Sequence, residues 1–252
     1  MSDVTVVLDD AHVATVEIHR PPANYFDAAL IAQLADAYER LDADLECRAI
    51  VLCSEGRHFC AGANLGSPES PADEPRTLYR QALRLFAAAT PVVAAVQGAA
   101  VGGGLGLALS ADFRVASPAS RFSANFAQLG FHQGFALSVT LPALAGQQPA
   151  LDLLLTGRRV PGKEAHELGI CDRLVGDDEV RAGARALAAE LAQSAPLALR
   201  SIRATLRAGL VDRVEQALER EASEQDRLRE TDDFREGVAA SLERRAPRFQ
   251  GR

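Results

Sequence analysis

The stretch Pro91-Val92-Val93-Ala94-Ala95-Val96-Gln97-Gly98-Ala99-Ala100-Val101-Gly102-Gly103-Gly104-Leu105-Gly106 decides how this chain folds. An apolar run bounded by Pro91 and by Gln97-Gly98 reads as a strand buried on both faces. The glycines that follow make a tight turn and open a short helix. A helix N-terminus presents unpaired N–H groups and a partial positive charge, so this turn suits an anion or an oxyanion. A dinucleotide fingerprint fails, because G-x-G-x-x-G counted from Gly102 puts Leu107 at the third glycine, and counted from Gly104 puts Leu109 there. A phosphate loop would end in Gly-Lys-Ser/Thr, and the stretch has no lysine. Glycines serving only close strand–helix packing stay open as the plain alternative.

The uncharged run from Leu85 to Ala111 would pass a crude membrane-span filter. Pro91, Gln97, the glycines and the richness in alanine argue for a helix end, strand, turn and helix in a soluble core instead. Upstream, Val4–Leu8 and Val13–Ile18 alternate as a strand pair around a turn at Asp9–His12. Asp27 is placed to cap a helix carrying Leu30, Ile31, Leu34, Tyr38 and Leu41. Ala49–Cys53 is a further buried strand. It empties into a loop containing Phe59-Cys60-Ala61-Gly62-Ala63-Asn64-Leu65, whose small residues let a ligand approach the backbone. The Pro-rich segment 67–75 reads equally as a lid-like loop or a plain surface connection. A helix at 77–88 and a strand at 113–116 continue the alternation, which makes an α/β domain whose sheet is covered on both faces. Helical patterns fill 182–191, 197–206, 211–229 and 234–244, and these are expected to pack on the core or on a neighbouring subunit.

Composition narrows the function. The 252 residues carry a net charge of −7, with 48% hydrophobic and 24% charged residues, which excludes a nucleic-acid or anionic-membrane partner held by charge. Of the 27 basic residues only Lys163 is a lysine, so an anionic ligand must be met by arginine forks and backbone N–H groups. Cys47, Cys53, Cys60 and Cys171 have no metal-ligand spacing, so no metal site is expected. Their setting, and an N-terminus without a signal pattern, suit a reducing cytoplasm.

Taken together, the two loops resemble the crotonase (enoyl-CoA hydratase/isomerase) superfamily. The resemblance runs through Arg20-Pro21 with Asn24, the loop Phe59–Leu65, and Pro91–Gly98 followed by Gly102-Gly103-Gly104. It continues in Ala111–Ala116, Leu155-Thr156-Gly157-Arg158, Phe234-Arg235-Glu236-Gly237 and Pro247-Arg248-Phe249. It implies a ββα spiral over residues 1–195 that binds acyl-CoA. A C-terminal helical region, 196–252, would build a homotrimer or a dimer of trimers. Coenzyme A enters as part of the thioester substrate, and no separate cofactor is implied. The backbone N–H groups of Ala63 and Gly103 would form an oxyanion hole for the thioester enolate. Ala61, Gly62, Asn64 and Leu65 would hold adenine and pantetheine, and Arg57 stands where some relatives carry a CoA-contacting lysine. Arg244 and Arg245 would approach the nucleotide, or else are surface charges.

The resemblance also breaks at defined places. The two hydratase glutamates would fall at Gly106 and Phe126, and an isomerase aspartate at Gly134. All three carboxylates are missing, so hydration by a glutamate pair is not expected. The segment 122–142 looks most like the epoxide or ring-opened acyl-CoA isomerase branch. Phe126, Phe131 and Phe135 would make the acyl pocket apolar. His132 is the candidate replacement acid or base, with His58 behind it. Two functions follow: an isomerase or lyase of acyl-CoA metabolism that stabilises an enolate, or a catalytically inactive acyl-CoA binder or scaffold. The direction in which His132 points discriminates between them.

Overall fold

The alternating N-terminal runs pair as the antiparallel strands β1 (Val4–Leu8) and β2 (Val13–Ile18), with Val6 opposite Val16. The computed structural model of the chain describes residues 3–64 and 75–252. The Pro-rich segment therefore lies outside the described residues except for Pro75, and Leu65 lies outside them too.

Asp27 caps α1 (Ala28–Asp42) by accepting from the Leu30 N–H, as its position before a helical apolar pattern predicts. There follow β3 (Ala49–Ser54), α2 (Pro75–Ala87) and β4 (Val92–Val96). The glycine-rich turn contains a short strand that its composition hides, β5 (Ala99–Val101), before α3 (Gly103–Ser110). Then come β6 (Phe113–Ala116), β7 (Arg121–Ser123), α4 (Leu137–Ala145), α5 (Gln147–Thr156) and β8 (Arg159–Pro161). The chain ends through α6 (Gly162–Glu167), β9 (Arg173–Leu174), α7 (Val180–Ala192), α8 (Pro196–Leu206), α9 (Leu210–Arg229) and α10 (Asp232–Glu243).

The strands form two sheets. The larger has the order β1-β2-β3-β4-β6-β9 and is parallel apart from the β1–β2 hairpin. The smaller has the order β5-β7-β8. Strand–strand–helix units repeat, and in the units beginning with β4 and β6 the second strand joins the small sheet. Alternation along β3 and β4 divides the core cleanly. Ile50, Leu52, Val92 and Ala94 face the side covered by α1 and α2, whereas Val51, Cys53, Val93 and Ala95 face α7. All four cysteines are buried free thiols, and burial pushes the Cys53 thiol up to about 11.

The uncharged run 85–111 thus forms the end of α2, β4, β5 and α3, and no helix of the described residues is long and apolar enough to cross a membrane. Helix α8 is attached in an unusual way, since it has no buried residue. Three arginines fasten it to the core. Arg200 donates to Asp42 O and Thr90 Oγ1, while Arg203 and Arg207 pair with Asp112 at 2.9 and 2.6 Å. Asp112 also accepts from the Val92 N–H at 2.8 Å, which ties α8 to the strand leading into the glycine turn. Burial works against the Asp112 carboxylate, but the two guanidinium groups outweigh it and hold its pKa below the ordinary value.

Asp112→Asn should therefore leave two partly buried guanidinium groups short of a counter-charge. Equilibrium denaturant unfolding at neutral pH is expected to show a loss of about 3 kcal/mol or more. In the parent protein this contribution is present at neutral pH and fades as acid protonates Asp112 through its lowered pKa, so the deficit of the variant shrinks in acid.

Candidate active site

Two loops meet edge to edge above the C-terminal ends of β3 and β4. The Cys60 N–H donates to Ala99 O at 3.0 Å and the Val101 N–H to Cys60 O at 3.0 Å, so the loop after β3 is stitched to β5. The contact is too close for side chains. A Cβ on Gly104 would stand 2.1 Å from Cys60 O, and one on Gly62 would stand 3.2 Å from the Gly103 nitrogen. Gly62 also has φ +83°, a left-handed value that glycine adopts without a Cβ penalty. From the other side Asn24, fully buried, clamps the same loop. Its Nδ2 donates to Glu55 O and His58 O at 2.8 and 2.7 Å, and its Oδ1 accepts from the Arg20 N–H at 3.0 Å. The Ala61 N–H to Ala23 O and Phe26 N–H to Gly62 O bonds complete the clamp.

This stitching places the backbone of Ala63 beside the first turn of α3. Among the described residues neither the Ala63 nor the Gly103 N–H is spent on a hydrogen bond. Both residues line a cavity of about 380 Å³. Gly102 precedes the helix at φ 56° and has no side chain to cap it, so the helix end stays open to a ligand.

The cavity runs from an open side at Pro21, Pro22, Tyr25 and Asn64 to a buried side at Phe126, Phe131, Phe135 and Tyr79. Phe26 and Phe135 pack at 5.4 Å between ring centroids, and Phe131 rests on Phe234 at 4.8 Å. Asp27 is the acid in this lining among the described residues, and it is occupied. It caps α1 and pairs with Arg20 at 2.8 Å. Burial raises its pKa less than Arg20 and the cap lower it, so it stays ionised.

Of the residues expected from the sequence, Ala61, Gly62, Ala63, Asn64, Gly103, Phe126, Phe131 and Gly134 line this cavity. Arg57, Gly106, His58 and His132 do not. Arg57 is exposed after the turn at Gly56. Gly106 faces Phe135 one turn into α3, where a Cβ would lie 2.5 Å from the Phe135 Cβ. His132 turns toward its own loop, with Nδ1 2.8 Å from Gln133 O. Arg245 is taken by Glu236 and Glu243, and Arg244, which ends α10 at φ 55°, is exposed.

The sequence reading missed Tyr79, Asn125, Gln225 and Arg229. A Cβ on Gly134 would meet the Tyr79 hydroxyl at 1.9 Å and Gln225 Nε2 at 2.6 Å, so these two groups fill the space beside that glycine. Tyr79 donates to Gln225 Oε1 at 2.9 Å, and Gln225 donates to His132 O at 3.0 Å. Burial raises the Tyr79 pKa, so the phenol is neutral. Gln225 and Arg229 continue the buried stripe Val214, Leu218, Glu221, Ala222 of α9. Polar side chains on an otherwise apolar helical stripe were the available signal.

Glu221, on the same stripe, holds the cavity wall from behind. It accepts from the Ala136 N–H at 2.9 Å and from the N–H and hydroxyl of Ser138 at 3.0 and 2.6 Å. Those bonds secure Phe135 and Ala136, two non-glycine residues at φ 58° and 59°. Burial nevertheless pushes the Glu221 pKa up to about 7, against the pull of its donors.

Residues 9–252 match the family model described as enoyl-CoA hydratase/isomerase. A probable enoyl-CoA hydratase of Bacillus subtilis is 34% identical over 252 aligned residues, covering 96% of this chain and 96% of that protein. The 1,2-epoxyphenylacetyl-CoA isomerase of Escherichia coli is 31% identical, covering 95% of each chain. Among solved structures, an enoyl-CoA hydratase/isomerase from Pseudoalteromonas atlantica superposes with a TM-score of 0.89 at 32% identity, covering 99% of this chain and 100% of that one.

The buried Glu221 predicts a pH signature for the wall. A carboxyl raised to about 7 in the folded state favours folding most below its unfolded pKa, and this advantage is lost as pH rises toward and through 7. The unfolding free energy of the parent minus that of Glu221→Gln should fall between pH 4.5 and 8, by on the order of 3 kcal/mol. A difference that is flat or rises over this range would contradict the assignment.

Proposed function

Because the chain belongs to the enoyl-CoA hydratase/isomerase family, we propose that it binds an acyl-CoA thioester and polarises the thioester carbonyl between the N–H groups of Ala63 and Gly103. One observation carries this reading. Ala63 and Gly103, whose backbone N–H groups are unspent among the described residues, line one cavity with an aromatic buried side, and Gly62 packs closely against the Gly103 nitrogen. An enolate gathers charge on that oxygen, and fixed dipoles stabilise it by about 3 kcal/mol per donor. Coenzyme A is then part of the substrate, and its nucleotide lies toward the open side at Tyr25 and Asn64.

The reaction is an isomerisation or a lyase-type cleavage rather than hydration by two glutamates. The positions matched to those acids hold Gly106 and Phe126, and Gly106 has no space for a side chain. The position matched to an isomerase aspartate is Gly134, whose neighbouring space is taken by Tyr79 and Gln225. Such a lining offers a carbonyl polariser and, among the described residues, no carboxylate free of a partner. It suits isomerisation, decarboxylation or C–C cleavage, in which the enolate is the main barrier. A second reading, a catalytically inactive acyl-CoA binder or scaffold, draws support from the His132 side chain turning to Gln133 instead of the cavity.

The assembly is a homotrimer or a dimer of trimers. Exposed Leu155, Ile202, Leu206 and Leu242, on α5, α8 and α10, are apolar surface that such contacts would cover. Four buried thiols suit the reducing cytoplasm as its compartment.

The test is product analysis by mass spectrometry after incubation with enoyl-, epoxy- and β-ketoacyl-CoA thioesters. Isomerised or cleaved product is expected, and turnover should persist within about threefold in His132→Ala, since that side chain lies outside the cavity. Tight thioester binding without any product would favour the binder. Vigorous hydration of crotonyl-CoA would contradict the reaction class.

A further inference from the structure

Arg229 is the unexplained charge in the cavity. It lies on the last turn of α9 and lines the same space as Phe131, Tyr79 and Gln225. Its guanidinium carbon stands 5.4 Å from the centroid of the Phe131 ring, within the reach of a cation–π attraction. Its Nε is buried and makes no hydrogen bond, and Arg229 enters no ion pair among the described residues. The nearby carboxylate, Asp226, is already paired with Arg76. Burial lowers the Arg229 pKa from its ordinary value, and an arginine so shifted remains a cation at neutral pH.

A half-buried cation without a counter-ion is costly, and an arginine edge matches a carboxylate with two parallel bonds. The neighbouring Tyr79 and Gln225 groups are bonded to each other and to backbone, so they do not neutralise it. The rest of the buried side is aromatic, which suits a short carbon chain leading to that charge. We propose that the acyl group bound here ends in a carboxylate, which Arg229 receives, so that the substrate is the CoA monothioester of a dicarboxylic acid. This rests on the acyl-CoA reading above and names the class of acyl group within it. Arg229 would be a specificity residue and takes no part in polarising the thioester.

Calorimetric binding of matched thioesters tests it. Succinyl- and glutaryl-CoA would be compared with butyryl- and valeryl-CoA and with free CoA, against the parent protein, Arg229→Met and Arg229→Lys. The carboxylated thioesters are expected to bind the parent at least about tenfold more tightly than their neutral partners. That ratio should collapse toward one in Arg229→Met and be only partly kept in Arg229→Lys. The comparison within the parent stands even if a variant fails to fold. Equal affinity for charged and neutral chains in the parent would overturn the carboxylate while leaving acyl-CoA binding intact. An equal loss of free CoA in Arg229→Met would place Arg229 at the nucleotide phosphates and also overturn it. Absence of binding by every thioester would overturn both this inference and the acyl-CoA reading.

Discussion

Backbone pressed against backbone, with no side chain between, is the constraint on which this structure depends. Cys60 O occupies the place where a Cβ on Gly104 would stand, and the Gly103 nitrogen lies beside the place of a Cβ on Gly62. Only chains of small residues on parallel buried strands can bring two loops so close. The register of β3 and β4 delivers them to the same edge of the sheet, and Asn24, held by the Arg20 N–H, fixes the outer loop with two hydrogen bonds. This brings Ala63 beside the first turn of α3, the arrangement on which the proposed oxyanion hole rests. In that proposal the N–H dipoles are already fixed when charge arrives, which is the condition for strong electrostatic stabilisation.

The remainder of the cavity is assembled from further along the chain. Helix α9 crosses α2 and supplies Gln225 and Arg229, while Glu221 on the same helix anchors the left-handed pair Phe135–Ala136. The C-terminal helices are therefore part of the cavity wall as well as candidates for subunit contact. Helix α8 divides these tasks differently. Its arginines reach inward to Asp112, Asp42 and Thr90, and its leucine and isoleucine side chains Leu197, Ile202 and Leu206 are exposed.

The fold was legible because its signals are local. Unbroken apolar strands announce a sheet covered twice, and Asp27 announces the start of α1. The amphipathic stripes of α7 to α10 fall close to their observed bounds. The short strand β5 was hidden, because its alanines sit among glycines and pair with the distant β7 and with Cys60 of the loop after β3. In the site, loop composition and family resemblance pointed to Ala63 and Gly103, and both residues line the cavity. Tyr79, Gln225 and Arg229 were not legible, since their meeting depends on α2 and α9 packing across a long sequence separation. The orientation of His132 was hidden for a different reason. Its place in the chain beside Phe131 and Gly134 says nothing about the direction of its ring, which the local bond to Gln133 O decides.

The most direct measurement is isotope-edited infrared spectroscopy of butyryl-CoA carrying a carbon-13 thioester carbonyl, bound at saturation. If the Ala63 and Gly103 N–H groups both donate to that oxygen, its stretching band moves to lower wavenumber on binding than in water. A bound thioester whose band stays at the water position, or moves higher as in an apolar pocket without donors, would contradict the oxyanion hole.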